Sequence, residues 1–180
     1  MKFSPENRRL LMLSLIALLL GGYTYITAPV QKTLNPEGPQ QRPLFAFRSE
    51  QVSHIDILFD GKHVVGKRTP QGWQQPENGA PLPSAAVDEF LNNLVKLVHL
   101  GEVERGSEPY YEYGLEHPAT KITVTVDGQG EQTLTLGKRN PVNTTYYAQL
   151  NDAPEIVLVG SIISWDLRKL MMALNGSSSG

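Results

Sequence analysis

The sequence contains no cysteine, which removes disulfides, thiolate zinc sites, iron-sulfur clusters, a thiol nucleophile and a lipid-modified cysteine together. It also lacks any excess of one charge: 16 Lys and Arg stand against 18 Asp and Glu, for a formal net charge of -2 and a pI near 6.1. Basic residues are scattered among acidic ones, so there is no electrostatic footprint for a nucleic-acid partner. The histidines, His54, His63, His99 and His117, lie far apart, and no two have the i, i+3 or i, i+4 spacing that sets metal ligands on one helical face. No metal is expected. A G-x-S-x-G elbow, a phosphate-binding loop and a dinucleotide fingerprint are all missing. The sequence therefore nominates no catalytic residue, no cofactor and no small-molecule substrate.

What is present begins with an apolar run. From Leu10 to Ala28 the chain carries no charge over 19 residues, which as a helix would span about 28 Å, close to the thickness of a bilayer's hydrocarbon core. The rival reading is a cleaved signal peptide whose apolar region ends at Gly21 and Gly22. Tyr23 interrupts a small-x-small cleavage site, and Tyr23 and Tyr25 suit the membrane interface, so a retained anchor is expected. Lys2, Arg8 and Arg9 precede the run, whereas the next positive residue is Lys32. Positive charge is held on the cytoplasmic side. Residues 1–9 are thus expected to be cytoplasmic, and everything beyond residue 28 periplasmic, at a bacterial inner membrane.

Residues 29–43 hold Pro29, Pro36, Pro39 and Pro43 among polar residues and read as a linker. Fully extended, these residues reach about 45 Å. Residues 44–175 are expected to form one α+β domain. Val52 to Phe59 alternates Ile55, Ile57 and Phe59 with His54, Asp56 and Leu58, the period of a half-buried strand, and Asp60-Gly61 signals a hairpin into Lys62 to Arg68. A short strand is expected around Trp73, then a proline loop. Ser84 is the expected N-cap of a helix carrying Val87, Phe90, Leu91, Leu94 and Val98 on one face and ending near Leu100-Gly101. A strand begins near Val103. A second hairpin turns at Asp127-Gly128 between Ile122 to Val126 and Glu131 to Gly137, and strands Thr144 to Leu150 and Ile156 to Val159 follow. A last helix, Ser161 to Leu174, places Ile162, Trp165, Leu170 and Leu174 near one face. Residues 176–180, glycine and serine only, read as a flexible tail. The order suggests two related halves, an antiparallel sheet with two helices packed on one face.

Several segments together resemble a known family. They are the Ile-Asp-Ile strand, Lys67 on the next strand, Trp73 before the proline loop, Tyr113-Gly114-Leu115-Glu116-His117-Pro118, and Leu136-Gly137-Lys138 leading into Thr145-Tyr146-Tyr147-Ala148. This combination is similar to the DUF4340 domain of bacterial membrane-anchored proteins, over about residues 50 to 172. Some members sit beside gliding-motility-type ABC transporter components. The resemblance carries no catalytic residues, and implies as an alternative role a periplasmic component of an ABC-type export or motility system.

Candidate sites are few. His54 and Asp56 share a strand face and could pair, or simply form a solvated face. Asp88-Glu89 and Glu102-Glu104 could be imagined as a glycosidase-like acid and base, but helix capping and an exposed strand explain them better. Lys138 and Arg139 weakly suggest an anion site. Tyr110, Tyr111 and Tyr113 could be a stacking platform or partner contact, or the packing anchor of their loop. On the anchor, Gly21 and Gly22 offer a close-approach face to neighbouring transmembrane helices. The expected partners are the lipid bilayer and other membrane-protein subunits. The expected role is a non-enzymatic accessory or scaffold subunit of a membrane complex, with a hydrolase or carbohydrate-binding module as a further alternative.

Overall fold

The computed structural model describes residues 42–103 and 110–177, all within one compact unit that begins at Gln41. The apolar run 10–28 with Gly21 and Gly22, and residues 29–41, lie outside the described residues. Among the described residues no helix is long and apolar enough to cross a membrane.

Two antiparallel meanders build the domain. In the first, β2 (Val52–Phe59) turns through Asp60 and Gly61 into β3 (Lys62–Thr69), which leads to β4 (Gly72–Gln74). Both turn residues have positive φ, 53° and 76°, as the tight hairpin turn demands, and this is why Asp-Gly stands there. The second runs β7 (Thr120–Val126), β8 (Gly130–Arg139), β9 (Thr145–Leu150) and β10 (Val157–Gly160). Its first turn has three residues, not two, with Gly128 and Gly130 at positive φ and Gln129 N–H bonded to the Val126 carbonyl. The meanders join through β2 and β7, and the sheet order is β4-β3-β2-β7-β8-β9-β10-β6, where β6 is Gly101–Glu102. Each meander is followed by a helix, α1 (Ser84–Leu94) after the first and α2 (Ile162–Ser177) after the second. The two halves expected from the sequence are thus a repeated topology.

Both helices pack on one sheet face. Val87, Phe90, Leu91 and Leu94 of α1 and Ile163, Leu167, Leu170 and Met171 of α2 share one buried cluster with Ile55, Ile57, Ile122, Val124, Leu134, Leu136 and Val159. Each such side chain contributes on the order of 1.5–3 kcal/mol through removal from water.

The structure revises four local expectations. Arg42 and Pro43, placed in the linker, form β1 and pair with β5 (Val98–His99). From there residues 44–51 run as a strap along α1, with Leu44 N–H on the Leu97 carbonyl and Ser49 Oγ bonded to Asn92, burying Phe45 and Phe47. Helix α1 stops at Leu94, because residues 98–103 are drawn into backbone pairing with β1 and with β10. Ser84 does not cap it: Pro83 holds the N-cap, and Ser84 Oγ accepts the Trp73 N–H at 2.8 Å. Finally, Ile162 and Trp165 face outward, 59% and 67% exposed. The helix has a second apolar stripe, Ile163, Leu167, Leu170, Met171 and Leu174, and that one is buried or packed on the core.

Candidate functional site

The sheet face opposite the helices is polar at its β3-β2-β7-β8 end. Cross-strand pairing sets Val65, Asp56, Thr123 and Thr133 in one row and Lys67, His54, Thr125 and Glu131 in the next. A shallow groove of about 730 Å³ lies over these rows. Asp56 pairs here with His63 across the hairpin, Nε2 to Oδ1 2.8 Å, both side chains more than half exposed. His54 instead meets Ser53 Oγ at 3.3 Å. The His54–Asp56 pair, weighed in the sequence against a plain solvated face, does not form; Asp56 makes a diagonal pair on an exposed face instead, the cross-strand neighbour relation that sequence spacing does not report.

At its β8-β9-β10 end the same face is covered. The segment that follows residues 104–109 returns as a 3-10 turn, Tyr110–Tyr113, and lays Tyr113 and Leu115 over Ile156, with Val103, Tyr110 and Tyr147 packed around them. Tyr113 meets Tyr147 edge-on, centroids 5.0 Å apart, and Tyr110 Oη donates to the Pro154 carbonyl at 3.2 Å. Two glycines permit the approach. Gly114 has φ +73°, and a Cβ there would stand 2.7 Å from Lys138 Cγ; a Cβ on Gly137 would collide with the Tyr113 carbonyl. Tyr113-Gly114-Leu115 and Leu136-Gly137-Lys138 are thus one backbone-to-backbone joint. Tyr113 is buried at 8% exposure, so it anchors the segment and presents no surface to a partner, whereas Tyr111 stands out at 53%. A hydrogen bond to Glu112 and its negative charge, with a smaller contribution from Glu116, raise the Tyr111 phenol above its usual range.

The acidic pairs have other employment. Asp88 accepts from Arg68 Nη2 and from Trp73 Nε1, both at 2.9 Å, with the guanidinium 4.6 Å above the indole ring. Arg68 also holds the Val52 carbonyl at 2.9 Å. This knot ties β2, β3, β4 and α1 together. Glu89 bridges to Lys169 of α2 at 2.6 Å. Glu102 lies 3.5 Å from His99; Glu104 is outside the described residues. Arg139 donates to Tyr146 Oη at 2.9 Å and lies over its ring, and Lys138 lines the tyrosine joint, so the suggested anion pair is split. No cluster of three potential metal ligands occurs among the described residues.

One surface was not nominated by sequence. Along the outer side of α2, Ile162, Trp165 and Met172 are 59%, 67% and 63% exposed, and Leu100 beside Ile162 is 45% exposed. Scattered exposed apolar residues are ordinary; several sharing one helix side form a patch of the kind that marks interaction sites. The available signal was the doubled apolar periodicity of α2.

A polar-faced meander sheet, two helices on its other side and a tyrosine joint define a small α+β domain. The family model described as "Domain of unknown function (DUF4340)" matches residues 73–170, more than half of the chain. The chain belongs to this family. The match takes in Trp73, α1, the tyrosine joint and the second meander, but leaves out β2 and β3. No curated protein and no solved structure gives a match.

Proposed function

We propose that the chain is a non-enzymatic accessory subunit of a membrane protein complex, tethered by residues 10–28 and bracing the complex from the periplasmic side. The observation that carries this reading is the tyrosine joint. Both family-type motifs, Tyr113-Gly114-Leu115 and Leu136-Gly137-Lys138, are spent on fixing one backbone segment, and what that segment presents is Tyr111. A rigidly mounted tyrosine offers a large amphipathic contact with little ordering entropy left to lose. Gly21 and Gly22 supply the second contact, helix to helix within the bilayer. Joined by the proline-bearing residues 29–41, the two contacts raise each other's effective concentration.

The test is co-purification after gentle detergent extraction from the native membrane. Tyr111→Ala, and separately replacement of residues 10–28 by an unrelated transmembrane helix, should each weaken recovery of the same partner set. Tyr111 is exposed, so its loss should leave the fold intact, as circular dichroism would check. Undiminished recovery with both changes combined rules the scaffold role out.

A further inference from the structure

We infer that the outward side of α2 seats in the headgroup layer of the membrane that tethers the chain, so that the domain lies against the bilayer instead of hanging free. This rests on the tethered reading of residues 10–28 given above. Three observations carry it.

The first is chemistry. Trp165, Ile162 and Met172 share one outer side of α2, with Leu100 continuing the patch from the neighbouring strand segment: Leu100 Cδ1 and Ile162 Cγ2 both come 3.8 Å from the site a Cβ on Gly160 would fill. Tryptophan, with an apolar ring and a donor N–H, is the side chain most at home at the membrane–water interface. The second is charge. Arg168 and Lys169 are exposed on the two flanks of the patch, Lys169 toward α1 and Arg168 in a groove with Lys62, Asp60, Phe59, Met171 and Met172. The acidic groups here are Asp60, Asp166 and Glu89, the last bridged to Lys169, and Asp166 held by Asn93; three cations face three carboxylates, a rim of both charges with no net sign. An apolar ring and thioether within a rim of both charges fit a headgroup layer, which offers phosphates and ammonium groups beside acyl chains, better than they fit a dry protein interface.

The third is where the tether arrives. Arg42 pairs with His99, and Leu100, the next residue, belongs to the patch. The chain therefore leaves the domain beside the patch, and the 13 residues from 29 to 41 could span no more than about 40 Å at a proline-rich segment's rise per residue. A domain held that near a bilayer needs only a weak surface contact to stay on it.

Fluorescence tests this on the full chain. It has two tryptophans; Trp73 is 1% exposed and serves as a silent internal reference. The chain is reconstituted into phosphatidylcholine vesicles with about one phosphatidylglycerol in three, with and without lipids brominated at shallow acyl positions. Shallow bromines should quench a component of the emission that disappears in Trp165→Phe, and iodide in the buffer should fail to reach that component. Trp165 emission indifferent to bromine and open to iodide overturns the inference while the chain stays in the vesicles through alkaline carbonate, leaving the anchor reading standing. Emission shielded from iodide but indifferent to bromine overturns it in favour of a protein contact, a second copy included. Release of the chain by carbonate removes the anchor reading and this one with it.

Discussion

Helices α1 and α2 lie side by side on the same sheet face, yet their outer sides differ. On α1 the polar residues are engaged within the domain: Asp88 by Arg68 and Trp73, Glu89 by Lys169, Asn92 by Ser49 and Asn93 by Asp166. Its exposed positions are Ala85, Glu89 and Asn92. On α2 the exposed positions include Ile162, Trp165 and Met172. The inner sides are alike, apolar and buried. Folding accounts for both inner sides and for the outer side of α1; it does not account for a tryptophan left in water on α2. That surplus is the part of the molecule to be explained by a surface outside the domain.

The largest expected effects fall where the helices agree. Leu91 and Leu167 are both fully buried, so Leu91→Ala and Leu167→Ala should each cost about 2–5 kcal/mol in denaturant unfolding. A much smaller loss at Leu167 would mean that α2 is only loosely docked, and the comparison would collapse. Next comes the polar outer side of α1. Asp88→Ala strands the Trp73 indole N–H and one Arg68 N–H, for about 1–3 kcal/mol, softened by the partial exposure of the pair. A third, smaller effect separates the helices. Trp165→Gln and Ile162→Gln should change stability by no more than about 0.5 kcal/mol, as surface positions do, while reducing binding of a hydrophobic-surface dye to the chain. A loss of several kcal/mol would show that these residues serve the core after all. Smallest of all, Lys169→Ala removes an exposed ion pair and should cost a few tenths of a kcal/mol, about the usual value for such bridges; raised salt should cancel it.

The same comparison explains what was legible in the sequence. Strands read well because alternation admits one solution: Ile55 and Ile57 inward puts His54 and Asp56 outward, and Asp60-Gly61 closes the turn. A helix with one apolar stripe, α1, reads nearly as well. Helix α2 has two, and the choice between them is made by tertiary packing, through the Gly160–Ser161 connection, where Ser164 Oγ bonds the Ser161 carbonyl at 3.0 Å. Contacts between strands were equally hidden. Asp56 finds His63, not His54, because partners across a ladder are set by register. Among the tyrosines, residue type alone could not say that Tyr113 goes in and Tyr111 stays out. That division follows from Gly137, whose bare backbone receives the Tyr113 carbonyl. The α1 boundary failed for a related reason: Val98 fits a helical stripe and a strand alike, and pairing with Pro43 decides it.

The way residue 42 joins the fold also sets how the domain answers a pull. A load applied at residue 42 would be met first by β1, two residues paired with β5. Beyond it the strap must draw Phe45 and Phe47 out of the core and break the Ser49–Asn92 bond before β2 feels any force. The strap therefore stands, in the path of such a load, between the chain's entry at Arg42 and the central strands of the sheet.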